Sequence, residues 1–251
     1  MMSGSIEQIA TLFADAWSGG RQFETANVAG PQSAREAYQV QDRVFAARYP
    51  KGRAIAWKAG TSGPQAETTG APIGDVRPSP AAFAANDFHM IGIEAEVAYR
   101  FTRDLPDATT ISEAELADAV GEVLVTIEIC DTRMGDWKGA SSLWKLADFQ
   151  LNGALVTGSG TSAWRAIDFL RQSAELWVDG VKTVERAGAH PLGDPFKVLP
   201  WAVTHCAQRV GGLKAGDLVT TGSWTGMEFV NPGQTVVARF PGIGEASVRI
   251  G

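Results

Sequence analysis

Residues 91–101, IGIEAEVAYRF, decide how the chain is read. With a period of two, Glu94 and Glu96 point to one face and Ile93, Ala95 and Val97 to the other. Val97, Tyr99 and Phe101 favour a strand, and Gly92 opens it. Two carboxylates at adjacent same-face positions repel each other, so in a buried setting they need a cation, a shared proton or a nest of donors. A third carboxylate sits in similar company: residues 123–130, VLVTIEIC, are apolar except for Thr126 and Glu128. Such a run reads as a central strand, where a lone Glu is costly unless its charge is compensated. Glu94, Glu96 and Glu128 are therefore candidate ligands of one hard divalent cation, Mg²⁺ or Mn²⁺ before Zn²⁺. The competing reading is a solvated sheet face, where Glu-x-Glu is common. The apolar flanks of Glu128 weigh against it.

At 251 residues, with 45% hydrophobic and 20% charged, the chain has globular proportions and enough apolar side chains for a sizeable core. Its net charge of −6, without a basic block, argues against nucleic acid and anionic membranes as partners. An anionic small substrate stays open, because a metal and a few local cations reverse the field inside one cleft. Cys130 and Cys206 are the only cysteines and lack a metal-ligand spacing; they read as core thiols of a reducing compartment. The N-terminal MMSGSIEQIATLF has no basic n-region, and no apolar stretch reaches membrane-spanning length, so the expected location is the cytoplasm.

Residues 1–50 read as a helical N-terminal segment packed on a body formed by residues 51–251. Ser5-x-x-Gln8 caps a helix running to about Trp17, and a second follows Ser33 and stops before Pro50. Residues 54–60, AIAWKAG, form a short apolar strand with Lys58 inside it. Such a lysine either snorkels to the surface or, held near carboxylates, becomes a candidate for proton transfer or for binding an anionic substrate. Residues 61–90 are rich in Gly, Pro, Ser, Thr and Ala and read as a long loop, a lid or a linker. Ser112-x-x-Glu115 starts a helix ahead of the Glu128 strand. Another strand is expected over 151–158, a hairpin turning at Asp179-Gly180, and a helix from Asp194-Pro195 to about Val210 that Pro200 either kinks or starts. The remainder is β-rich with glycine turns. Without βαβ alternation or a phosphate loop, the class is α+β, with a mixed sheet rolled or folded on itself.

The succession AIAWKAGTS, GIEAEVAYRF, LVTIEICDTR and LKAGDLVTTGS resembles the fumarylacetoacetate hydrolase superfamily, and within it the 2-keto-4-pentenoate hydratase / 4-oxalocrotonate decarboxylase branch. The likeness runs through nearly the whole chain. It implies a mixed β-roll, Mg²⁺ or Mn²⁺ on Glu94, Glu96 and Glu128, and Lys58 in the cleft. It also implies a 2-oxo acid or dienol substrate whose 1-carboxylate and 2-oxygen chelate the metal. The implied activity is hydration of a 2-hydroxydienoic acid, with 4-oxalocrotonate-type decarboxylation, acylpyruvate-type C–C hydrolysis, or a non-catalytic 2-oxo-acid-binding paralogue or partner subunit as alternatives. A homo-oligomer and a hydratase–decarboxylase complex are further implications. Hydratases of the branch carry Ala-Asp-Asn followed two residues later by Ser; here Asp148 is kept while Phe149 and Leu151 take the polar positions. The family's acidic residue in the loop after the lysine strand corresponds to Asp75 or Asp87.

The remaining candidates have two readings each. Arg133 binds a substrate carboxylate or pairs with Asp131 or another acid. Asp148 orients Lys58 or a water, or caps backbone amides. Ser223 and Thr221 reach the cleft or cap their turn. His89, His190 and His205 are scattered, and no nucleophile–histidine arrangement is apparent.

Overall fold

The computed structural model describes residues 5–19, 21–106 and 111–251. Helix α1 (Ile6–Trp17) begins where the Ser5 hydroxyl accepts from the Gln8 amide, and α2 (Ala34–Arg48) where Ser33 accepts from Glu36. Strands β1 (Ala56–Gly60), β2 (Thr69–Ile73), β3 (Val76–Pro78), β4 (Ala81–Phe83) and β5 (Gly92–Phe101) follow. A reciprocal Ser112/Glu115 capping box opens α3 (Glu113–Ala119), which leads into β6 (Val120–Cys130). Helix α4 (Ser142–Ala147) and β7 (Asn152–Thr161) come next. The hairpin β8 (Ser173–Val178) and β9 (Val181–Ala187) turns on Asp179 and Gly180, both at positive φ, as a type I′ turn requires. A 3₁₀ turn after Asp194 runs into α5 (Leu199–Val210), so Pro200 marks the true start of that helix. The chain closes with β10 (Leu218–Thr220), β11 (Glu228–Phe229), β12 (Thr235–Phe240) and β13 (Gly244–Ile250).

The larger sheet has the order β2-β1-β10-β5-β6-β7-β3, with β11 on β5 and parallel pairs at β1–β10 and β3–β7. Its two edges, β2 and β3, are joined by only Gly74 and Asp75. Seven flat strands would separate those edges by about 29 Å, whereas so short a link spans about 10 Å. The sheet must curl into a roll. The Leu155 amide, donating to the Asp75 carbonyl at 2.9 Å, fastens the link to β7. The second sheet, β4-β13-β12-β8-β9, covers the outside of the roll. Ile93, Ala95, Val97 and Tyr99 of β5 and Val123, Val125, Ile127 and Ile129 of β6 share one core with Leu176, Val236, Ala238 and Val248.

On the inner face, each strand changes from apolar to polar within one period of two. Ala56 gives way to Lys58, Leu218 to Thr220, Ala98 to Glu96, and Leu124 to Thr126 and then Glu128. The apolar members close one end of the roll together with Ile73 and Leu155. The polar members line the other end. A separate core of Phe13, Val40, Val44, Trp144, Leu146 and Phe149 packs α1 and α2 onto α4 and β2. There Phe13 meets Phe23 and Trp144 edge-on at 5.0 and 5.9 Å.

The long loop expected over 61–90 is corrected: the segment contributes β2, β3 and β4. Gly70 and Pro72 conceal β2 from propensity arguments, but β2 is an edge strand whose missing donor at Pro72 costs no ladder bond. Gly70 is required there, since a Cβ would stand 2.7 Å from the Lys58 carbonyl. Among the described residues, no helix is long and apolar enough to cross a membrane.

Candidate functional site

Strand pairing brings the carboxylates together. Glu94 lies directly opposite Glu128 across the β5–β6 ladder, and Glu96 opposite Thr126. Like charges facing each other across a ladder are unfavourable, and here Glu96 and Glu128 are buried as well. Donor atoms of Glu94, Glu128 and Cys130 all lie within 4.8 Å of one another. Glu96 stands outside that tight set. Its Oε2 accepts from the Thr220 hydroxyl and, at 3.1 Å, from the Gly222 amide.

Lys58, on β1 in register with Thr220, supplies the positive charge. Its Nζ donates to Glu128 Oε1 at 2.5 Å and to the Gln150 carbonyl at 3.1 Å. Asn152 Nδ2 donates to the same Glu128 oxygen at 2.9 Å. Burial lowers the basicity of Lys58, but the charge of Glu128, aided by Cys130, Glu94 and Glu96, outweighs it and keeps the ammonium favoured. Glu96 is pushed up to about 8, first by burial and then by the charges of Glu128 and Glu94, while Lys58 and Thr220 pull the other way. Glu94 is raised by burial and Glu128, against Lys58 and hydrogen bonds from Cys130 and Ser223. Burial, with Glu94 and Glu128, holds the Cys130 thiol well above its ordinary value. In the metal-free chain Cys130 is thus a protonated thiol beside the acids.

Two carboxylate oxygens complete the case for a cation. Glu96 Oε1 and Glu128 Oε2 are buried without a hydrogen-bond partner among the described residues. Buried orphaned carboxylate oxygens are costly; Glu128 converges with Glu94 and Glu96 follows Glu94 on the same strand face, a donor set that fits a hard, oxygen-liganded divalent ion.

Beside this cluster opens a cleft of about 620 Å³, walled by Gly60, Thr61, Glu67 and Thr69 on one side and by Leu143, Lys145, Gln150 and Leu151 on the other. Phe149, Gln150 and Leu151 all adopt left-handed backbone, with φ of 55°, 53° and 63°. For residues with a side chain this costs about 1–2 kcal/mol each, and runs of such strain accompany functional sites. The turn is held from behind. Asp148 Oδ1 accepts from Arg133 Nε at 2.5 Å, while Arg133 donates from NH1 to the Asn152 carbonyl and from NH2 to the Asp148 carbonyl, both at 2.9 Å.

The same geometry corrects several assignments. Arg133 has no exposed surface and its guanidinium lies 3.9 Å from the Trp17 ring centroid, so it pairs with Asp148 instead of meeting a substrate. Asp148 accepts from Arg133 and Thr132 and caps the Arg133 amide; it does not reach Lys58, whose partners are Glu128 and Gln150. Asp75 pairs with Arg77 at 2.9 Å and, with Asp87, lines a different depression beside Arg48. The acid of the loop after the lysine strand that reaches the cleft is Glu67. Phe149 does not face the cleft: it packs edge-on to Trp17 at 4.9 Å, and only Leu151 forms cleft wall. Ser223 caps its turn by accepting from the Gly226 amide at 2.9 Å, and its hydroxyl lies against Glu94. None of the three histidines joins the cluster; His190, for one, contacts the Thr221 carbonyl at 2.8 Å. Reasoning from sequence also missed Thr220, Asn152 and Gln150. Thr220 was discoverable as the polar step after Leu218 in the TTGS strand, whereas no local signal marks the other two.

A family model described as fumarylacetoacetate (FAA) hydrolase C-terminal matches residues 66–251. A curated relative, 2-keto-4-pentenoate hydratase of Paraburkholderia xenovorans strain LB400, is 29% identical over 156 residues, 62% of this chain and 57% of that protein. Another, 4-oxalocrotonate decarboxylase of Pseudomonas putida, is 27% identical over 131 residues, 52% of this chain and 49% of that protein. The matched region thus spans less than two thirds of these relatives' own length. Among solved structures, 4-oxalocrotonate decarboxylase from Pseudomonas putida G7, complexed with magnesium and adipate, superposes with a TM-score of 0.82 at 19% identity and covers 97% of each chain.

Two outcomes follow from the site's electrostatics. Asp148→Asn leaves Arg133 buried with only Asp131 nearby, at 3.6 Å, and should cost about 3–5 kcal/mol in urea unfolding; a loss below about 1 kcal/mol would show the pair to be dispensable. The Glu96 carboxyl ionises near 4.5 when unfolded and near 8 when folded. Its raised value makes its contribution to stability complete below about 4.5 and lost as pH rises through about 8. Thermal melts of metal-free protein should therefore decline across that window, and Glu96→Gln should flatten the decline. An unchanged slope in the variant would contradict the assignment.

Proposed function

Because the chain belongs to the fumarylacetoacetate hydrolase C-terminal family, we propose that it is a divalent-metal-dependent lyase of the 2-keto-4-pentenoate hydratase type. It adds water to a 2-hydroxydienoic acid and yields a 2-oxo acid. In this reading Glu94, Glu96 and Glu128 hold one Mg²⁺ or Mn²⁺. A cation bound there supplies positive charge against the substrate's 1-carboxylate and 2-oxygen, where negative charge develops during reaction. The observation that carries the reading is the pair of orphaned buried oxygens on Glu96 and Glu128, set against Lys58 on one face of the roll.

The chain's own groups have separable tasks. Glu128 takes Lys58 and Asn152 on Oε1, which leaves Oε2 for the cation. Thr220 and Gly222 fix Glu96 in the same way, freeing Oε1. Lys58, held as an ammonium, is a fixed positive charge at the substrate's carboxylate end and a proton donor once its pairing with Glu128 loosens. The burial of this group keeps bulk water from the reacting centre and strengthens each charge contact.

Decarboxylation at the same site is the second reading. It needs no positioned water, and the two positions where hydratases of this branch are polar hold Phe149, turned into the helical core, and Leu151. A freshly generated 2-hydroxydienoate, followed by ultraviolet absorbance with products weighed by mass, separates the readings. The proposal expects cation-dependent loss of the dienoate with gain of one water. Cation-dependent release of CO₂ from a 2-oxo dicarboxylate, without hydration, would favour the decarboxylase. No turnover of either by cation-loaded protein would contradict both.

A further inference from the structure

Among the described residues, one group of three potential metal donors converges, and it contains a sulfur. The Cys130 thiol and one carboxylate oxygen each of Glu94 and Glu128 all lie within 4.8 Å of one another. The ladder explains the position. Cys130 comes two residues after Glu128 and so shares its inner face, and it stands opposite Gly92, two residues before Glu94. A Cβ at Gly92 would come within 3.1 Å of the Cys130 Cβ and 2.8 Å of the Met227 Sδ. The glycine therefore leaves the space beside Glu94 to two sulfur side chains.

A second observation separates this thiol from a packing cysteine. Glu128, whose Oε1 takes Lys58 and Asn152, keeps Oε2 buried and without a partner among the described residues. Cys206, by contrast, lies in the apolar core with Ala202 and Val203. Zn²⁺ and Co²⁺ accept thiolate sulfur and carboxylate oxygen together, at about 2.3 and 2.1 Å, which sets tetrahedral donors about 3.5 Å apart. Donors already within 4.8 Å need only small side-chain rotations to reach that spacing.

We propose that Cys130 gives this site a second mode of cation binding. Mg²⁺ or Mn²⁺ is held by Glu94, Glu96 and Glu128, whereas a thiophilic divalent ion, Zn²⁺, Co²⁺ or Cd²⁺, is held by Glu94, Glu128 and the Cys130 sulfur. The thiol proton leaves to solvent as the sulfur–metal bond forms, because a coordinating thiol is deprotonated by its metal. Three protein donors leave the fourth position of a tetrahedral ion open. Thiolate favours the softer ions while Mg²⁺ and Mn²⁺ keep to oxygen, so a thiophilic ion displaces the hard one from the same place. The inference rests on the reading that Glu94 and Glu128 hold the working cation, and it adds a sulfur ligand to that pair.

Co²⁺ titration of the metal-free chain, followed by absorption, tests this. A thiolate–Co²⁺ bond gives an intense near-ultraviolet charge-transfer band that carboxylate ligation lacks. Wild type should develop the band to saturation at equimolar Co²⁺, and added Zn²⁺ should bleach it. Cys130→Ser should lose the band and bind Zn²⁺ at least about tenfold more weakly, with Mn²⁺ affinity by electron paramagnetic resonance kept within about threefold. The chain has only two cysteines, so a band retained by Cys206→Ser assigns the sulfur to Cys130 even if the Cys130 variant does not fold. A band kept by folded Cys130→Ser, or lost in folded Cys206→Ser, would overturn the inference. Wild type that binds Mn²⁺ and Co²⁺ without the band would overturn it and leave the lyase reading intact. Wild type that binds neither ion would remove the cation reading and this inference with it.

Discussion

Three carboxylates on the inner face of one rolled sheet, with a single lysine among them, set the terms for the rest of the molecule. Glu94 faces Glu128 across a ladder, and Glu96 follows on the same face. Lys58 compensates one charge through a 2.5 Å contact with Glu128. The surplus negative charge has two outlets, a proton held on Glu96 or a cation shared by the unpaired oxygens. In the proposed reading, cation binding would displace the proton from Glu96.

Keeping such a cluster dry requires support from every side. The second sheet seals the outer face of β5 and β6, and the apolar residues around Leu124 and Leu155 close one end of the roll. Helices α1 and α2 cover the other end through α4 and the turn at 149–151. The buried Arg133–Asp148 pair belongs to this support. Two charges sealed away from water return little net stability, but their hydrogen bonds fix the carbonyls of Asp148 and Asn152. They thereby fix the turn that offers Gln150 to Lys58 and the Asn152 side chain to Glu128.

Strand periodicity made much of this legible. The alternation in 91–101 and 120–130 is enough to put Glu94, Glu96 and Glu128 on one face, and the serine caps mark the helices to within a residue. What stayed hidden depends on contacts between distant residues. β2 exists because β1 pairs with it, despite Gly70 and Pro72. Asp148 reads as a candidate catalytic acid until Arg133 is seen to occupy it, and Asp75 until Arg77 is. Gln150 carries no sequence signal because its position rests on three left-handed residues without a glycine among them. Tertiary packing stabilises that turn, and local propensity would forbid it.

The most direct test of the shared-cation account is Mn²⁺ titration followed by electron paramagnetic resonance, comparing wild type with Glu128→Gln at neutral pH. The account predicts one tight Mn²⁺ per chain in wild type and its loss in Glu128→Gln, with the variant still folded by circular dichroism. Undiminished Mn²⁺ binding by a folded Glu128→Gln chain would contradict it.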